Sequence, residues 1–97
     1  MNHFIVTNKA KSDLIDIARY TQKNWGINRR NSYLKQFDDS FHSLAREPMI
    51  GICCEYIKAG YRKFPQGSHI IYYRQNESQS IEIIRVLHKS MDVNRNI

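Results

Sequence analysis

Residues 60–92 constrain the fold more than any other part of the chain. They read as three short β-strands separated by two tight connections, residues 65–67 and 76–79, whose Pro, Gly, Asn and Ser content is typical of turns. The middle and last strands carry apolar residues on both faces, so at least one face must be covered by another layer. This segment therefore predicts a small antiparallel sheet that needs a partner layer.

The chain before residue 60 has the periodicity of two helices. Apolar residues recur at helical spacing over residues 10–25 and again over residues 34–44, with Gly26 placed where a helix would end. Pro48 ends the second helix, because the residue before a proline is pushed out of helical conformation. Two helices joined through one glycine form an antiparallel hairpin, which supplies the missing layer. The aromatic residues of the two stripes are expected in the core: Trp25, Phe37 and Phe41.

A short β-prone run at residues 4–7 precedes the first helix and is predicted to be an edge strand. The expected fold is therefore α+β, with an N-terminal β-strand and an antiparallel helical hairpin packed on a small antiparallel sheet. Residues 49–60 are expected to be an irregular crossing from the helices to the sheet. A length of 97 residues predicts one domain over the whole chain, 1–97, with a flexible tail from about residue 89.

Composition excludes several classes of function. No apolar run approaches the roughly 20 residues needed to cross a bilayer, and the first residues lack the pattern of a secretory signal, so a cytoplasmic protein is expected. The adjacent Cys53 and Cys54 predict reduced thiols and no metal site, because neighbouring cysteines bridge only with strain and zinc needs spaced ligands. No motif indicates a cofactor. The net charge of +6 suggests an acidic partner, although an evenly solvated basic surface explains it equally well.

Polar residues on the predicted strands are the candidates for a functional site. Arginines can bind a phosphate and a histidine can transfer a proton, so Arg62, Arg85 and His88 could serve a ribonuclease. The structural alternative is that Arg85, which strict alternation places on one face with Ile83 and Leu87, braces the tail or pairs with a carboxylate such as Glu82 or Asp92. Carboxylates on the predicted helices are expected to be solvated: Asp13, Asp16, Asp38 and Asp39.

Several short motifs follow one another in a fixed order along nearly the whole chain. They are Asp13-Leu14, Ile17, Tyr20, Trp25-Gly26, Tyr33-Leu34, Phe37, Gly60-Tyr61-Arg62, His69, Ile71, Tyr73, Arg85-Val86-Leu87-His88 and Met91-Asp92. This order resembles the ParE branch of the RelE/ParE superfamily of type II toxin–antitoxin systems. The pairing of the Gly-Tyr-Arg motif with the C-terminal Arg-Val-Leu-His motif is its most specific part.

The resemblance implies a toxin that poisons DNA gyrase, without catalysis of its own, by stabilising the complex of gyrase with cleaved DNA. Replication is then blocked and growth stops. It also implies a ParD-like antitoxin partner, which we expect to lay an acidic amphipathic segment over exposed apolar surface. The alternative within the superfamily is a ribosome-dependent mRNA endonuclease of RelE type. The middle strands lack the dense lysines of that type and the last strand ends in Arg-Val-Leu-His, which favours ParE. Candidate residues for toxicity or target binding are Arg62, Arg85, His88, Lys89, Met91 and Asp92.

Overall fold

The computed structural model describes residues 3–97, and its elements follow the predicted order. A strand and two long helices come first, then a 3-10 turn, four strands and a short C-terminal helix. Their bounds are β1 Phe4–Val6, α1 Asn8–Trp25, α2 Ile27–Arg46, the 3-10 turn Pro48–Ile50, β2 Ile52–Cys53, β3 Arg62–Gln66, β4 His69–Gln75, β5 Ile81–His88 and α3 Val93–Asn96. Within residues 3–97, no helix has the length and apolarity required to cross a membrane.

The helical hairpin forms for the reasons that the sequence indicates. The hydroxyl of Thr7 accepts a hydrogen bond from the backbone N–H of Ala10 and so caps α1. Gly26 separates the helices at a φ of 93°, in a region that side chains with a Cβ rarely adopt. The α+β fold and the helical hairpin are confirmed.

The sheet is mixed rather than purely antiparallel. Its strand order is β1-β5-β4-β3-β2, and β3, β4 and β5 form the predicted antiparallel meander. The edge strand β1 pairs with β5 in parallel, which is possible because the connection between them is long and includes both helices and strands β2 to β4. At the other edge, β2 pairs with β3. β2 lies inside residues 49–60, which were expected to be irregular, because a strand of two residues is too short to show an alternating pattern.

A β-bulge in β5 changes which residues share a face. The adjacent β4 residues Tyr72 and Tyr73 pair with Arg85 and Ile83, so Ile84 is an extra residue in β5. Strict alternation across this position is therefore wrong: Ile83 packs against the helices, while Leu87 packs on the opposite face of the sheet.

Two apolar clusters cover the two faces of the sheet. Between sheet and helices lie Ala10, Ile17, Phe37, Phe41, Leu44, Ala45, Ile71, Tyr73, Ile81, Ile83 and Val86. On the other face lie Cys54, Tyr61, Tyr72 and Leu87, with Val93 and Ile97 from the tail packed against them. The tail therefore folds back over the outer face of the sheet, for which the sequence predicted no covering layer.

Trp25 corrects the predicted core. Phe37 and Phe41 are buried as expected, but Trp25 is 65% exposed. The last buried side chain of α1 is Thr21, so the final turn of the helix presents Trp25 to solvent.

Candidate functional site: the C-terminal end of β5 and the adjoining groove

Arg85 lies on the edge of β5, just beyond the part of that edge that pairs with β1. β1 pairs with β5 only as far as Ile83. Beyond Ile83, the side chains of Thr7 and Asp13 form hydrogen bonds with the backbone of β5. The Thr7 hydroxyl donates to the carbonyl of Ile84 at 3.0 Å, and the N–H of Val86 donates to Asp13 Oδ2 at 3.0 Å. The polar edge of the strand is thus satisfied by side chains instead of another strand.

The guanidinium of Arg85 forms a two-bond ion pair with Asp13. Its Nε donates to Asp13 Oδ2 at 2.7 Å, and its Nη2 donates to Asp13 Oδ1 at 2.8 Å. Its Nη1 donates to the backbone carbonyl of Asn96 in the tail. The side-chain hydrogen bond to Asp13 raises the pKa of Arg85, so the group stays charged. Both side chains are largely buried, 16% and 12% exposed, and the expectation that Asp13 is solvated is wrong.

Arg62 has a separate structural contact on β3. Its Nη1 donates to the carbonyl of Gly51 at 2.7 Å, which ties the segment after α2 to the sheet. Arg62 pairs in register with Tyr73, whose side chain faces the helices, whereas Arg85 pairs with Tyr72, which faces the other side. The two arginines therefore do not converge on one phosphate position.

His88 ends β5 beside a second histidine, His69, which was not among the predicted site residues. The rings of His88 and His69 meet edge to face, with centroids 5.3 Å apart. Burial lowers the pKa of His69 to about 4, and the nearby His88 adds to the effect, so His69 is neutral at pH 7. Tyr33 holds the ring in place, with its hydroxyl 2.7 Å from His69 Nδ1. The Nδ1 of His88 accepts from the N–H of Ser90 at 3.1 Å, which leaves Nε2 as its protonated nitrogen.

A groove of about 600 Å³ runs from this histidine pair along the helices. Three exposed apolar side chains line it: Tyr20, Trp25 and Met91, at 66%, 65% and 52% exposure. The guanidinium carbon of Arg29 lies 5.6 Å from the centre of a ring of Trp25. Aromatic and Met surface beside a cation suits an apolar segment that carries acidic residues. The motif positions Tyr20 and Trp25 were a signal for this groove, but helical periodicity assigned Trp25 to the core.

The remaining candidates lie in the turn between β5 and α3. Lys89 donates its N–H to the carbonyl of Ser68 at 3.0 Å and leaves its side chain exposed. Asp92 caps α3 by accepting from the N–H of Asn94 at 3.0 Å. The structure thus brings His88 and Met91 together along the groove, with Lys89 in the same turn. It gives Arg62, Arg85 and Asp92 intramolecular partners. Among residues 3–97, no group of three or more His, Cys, Asp or Glu side chains is placed to hold a metal ion.

Comparisons with known proteins show the family to which the chain is similar. Residues 4–93 match the family model described as ParE toxin of type II toxin–antitoxin system, parDE. The chain is 34% identical to Toxin ParE1 of Mycobacterium tuberculosis, over 99% of this chain and 98% of that protein. It is 36% identical to Toxin ParE1 of Caulobacter vibrioides, over 95% and 94%.

Two solved structures share the fold. The chromosomal ParDE toxin–antitoxin system from P. aeruginosa superposes with a TM-score of 0.75 at 18% identity, covering 91% of this chain and 96% of the matched chain. The toxin–antitoxin complex RelBE2 from Mycobacterium tuberculosis gives 0.65 at 22% identity, covering 91% and 98%.

Proposed function

The chain belongs to the ParE toxin family of type II toxin–antitoxin systems, and we propose that it poisons DNA gyrase by stabilising the complex of gyrase with cleaved DNA. Trapped complexes block replication and stop growth. The toxin acts in the cytoplasm, without a cofactor, and is held inactive by a ParD-like antitoxin.

The observation that carries the proposal is the ion pair between Arg85 and Asp13. Cleavage of an RNA phosphodiester needs cations at the phosphate and an acid or base within reach of the reacting oxygens. The charged guanidinium of Arg85 is paired with Asp13, and Arg62 is bonded to the backbone on the opposite face of the sheet. This arrangement supports a toxin that inhibits by binding rather than by catalysis.

The target-binding surface is the turn after β5, with His88, Lys89 and Met91. These side chains combine a cation, an imidazole N–H and exposed apolar surface at one end of the molecule. An exposed lysine is suited to a DNA phosphate or to an acidic surface of gyrase. Arg85 and Asp92 act in this proposal by holding the tail that carries this surface, whereas Arg62 contacts the segment after α2 and is not assigned to it.

The groove is the docking site that we propose for the antitoxin. Its exposed aromatic side chains suit an amphipathic helix whose apolar side covers Tyr20 and Trp25. The toxin charge of +6 favours an acidic segment in the partner. Replacing Trp25 by Ala should weaken antitoxin binding at least tenfold, because exposed aromatic anchors carry much of the binding free energy at such surfaces.

The control for the groove is Tyr56→Ala, since Tyr56 is 72% exposed but does not line the groove. Titration calorimetry with the antitoxin encoded beside the toxin gene measures both variants. Equal affinity for Trp25→Ala and the wild type would contradict the assignment of the groove.

An induction experiment tests the target. Bacteria that express the toxin should stop growing and should yield linear plasmid after denaturation of protein–DNA complexes. The matched pair is Lys89→Ala, which should delay arrest, and Lys35→Ala, an exposed lysine on α2 that should not. Arrest with intact plasmid and with mRNA cut at fixed codon positions would contradict the proposal and support a RelE-type endonuclease.

A further inference from the structure

The C-terminal tail, residues 89–97, cannot hold its conformation by local interactions alone. Its helix α3 has only four residues, Val93–Asn96, and helices shorter than about 12 residues are marginal in water without tertiary contacts. Val93 and Ile97 supply apolar contacts to the cluster on the outer face of the sheet. A side-chain bond from the rest of the protein reaches the end of the tail, because Arg85 donates to the carbonyl of Asn96.

Asp13 determines where that arginine points. Its carboxylate accepts three hydrogen bonds, two from Arg85 and one from the N–H of Val86, at 2.7 to 3.0 Å. With two nitrogens bound to Asp13, the planar guanidinium has its third nitrogen directed at Asn96. One residue at the start of α1 is thereby connected to the end of the chain, 83 positions away.

We propose that Asp13 is a positioning residue that fixes the tail against the sheet through Arg85. We call the contact Asp13–Arg85–Asn96 the tail latch. It holds the segment whose first residues, Lys89 and Met91, form the target-binding surface. The tail latch itself follows from the contacts, whereas its importance for toxicity rests on the proposed function.

Two substitutions break the tail latch in different ways. Asp13→Asn preserves the shape of the side chain, but its amide has one acceptor oxygen and cannot receive both bonds from Arg85. Arg85→Lys keeps a positive charge beside Asp13 but lacks the planar fork, so it cannot bind Asp13 and Asn96 together. The control is Glu82→Gln, which removes the ion pair with Arg74 on the same sheet; there the arginine is 44% exposed and the glutamate 24%.

Backbone order parameters from NMR relaxation of the full chain measure the effect. The order parameters of residues 93–97 should fall from about 0.8 in the wild type to below about 0.6 in Asp13→Asn and Arg85→Lys, with α1, α2 and the sheet unchanged. Glu82→Gln should match the wild type. An unchanged tail in Arg85→Lys overturns the tail latch, and so does an equal loss of order throughout the chain. If Asp13→Asn does not fold, the order parameters of the tail in Arg85→Lys alone decide whether the tail latch exists.

A second readout tests the positioning role. The two variants should need at least about tenfold more toxin to trap gyrase on cleaved DNA, while Glu82→Gln should match the wild type. A mobile tail together with wild-type poisoning overturns the positioning role and leaves the proposed function intact. A wild-type protein that does not poison gyrase defeats the proposed function, while the order parameters still decide on the tail latch.

Discussion

Lowering the pH from 7 to 4 should destabilise this protein through His69. The unfolded side chain has a pKa of about 6.5, but burial and the neighbouring His88 lower the folded pKa to about 4. Between these values the unfolded state binds a proton that the folded state does not. The contribution of this group to stability is therefore complete above about pH 6.5, is lost progressively as the pH falls, and stops changing below about pH 4. The titratable groups facing the ring are Tyr33 and His88, with Asp13 at longer range.

The size of the effect follows from the two pKa values. Their difference corresponds to at most about 3.4 kcal/mol, since one pKa unit is worth about 1.4 kcal/mol. His69 is only half-buried at the end of the groove, so solvent screening reduces the expected loss to about 1–2 kcal/mol.

Urea unfolding at pH values from 7 to 4 provides the assay. His69→Asn removes the titrating ring, so the wild type should lose about 1–2 kcal/mol more than this variant over that range. The control is His42→Asn on α2, a histidine with a side chain that is 56% exposed, and it should follow the wild type. Parallel pH profiles for the wild type and His69→Asn would refute the reasoning.

Three further predictions concern the core and the tail. Tyr73→Phe should lower the free energy of unfolding by about 2 kcal/mol in urea, because the N–H of Gly51 and the carbonyl of Pro48 lose their buried partner; a loss below about 0.5 kcal/mol would contradict this. Gly51→Ala should cost about 2–3 kcal/mol by the same measurement, since a Cβ there would lie 2.2 Å from the hydroxyl of Tyr73; a cost below about 0.5 kcal/mol would argue against the overlap. Deleting residues 89–97 should abolish growth arrest while circular dichroism still shows the α+β fold, and a fully toxic truncation would mean that the site is misplaced.

Local patterns were sufficient to predict most of the fold. Helical periodicity, Gly26 and Pro48 predicted the hairpin, and the turns predicted the three-stranded meander. The parallel pairing of β1 could not be predicted from a run of four residues, because the same run fits either strand direction. The bulge at Ile84 could not be predicted either, because one extra residue leaves the composition of the strand unchanged. It nevertheless changes which of the following side chains of β5 face the helices.

The candidate site was harder to predict because its decisive contact is distant in sequence. The sequence suggested a carboxylate partner for Arg85, but it indicated nearby residues rather than Asp13, which lies 72 positions away. His69 was overlooked as a neighbour of His88, although their pairing follows once β4 and β5 are in register. Trp25 was misplaced because periodicity does not reveal where the covered part of a helix ends.

The most direct test of the central claim is a gyrase cleavage assay with purified components. Supercoiled plasmid, gyrase, ATP and the toxin are incubated, and the DNA is examined after the protein is denatured. Linear plasmid should accumulate with toxin concentration, and prior addition of the antitoxin should prevent it. Absence of linear DNA, together with normal supercoiling at a large excess of toxin, would contradict the account.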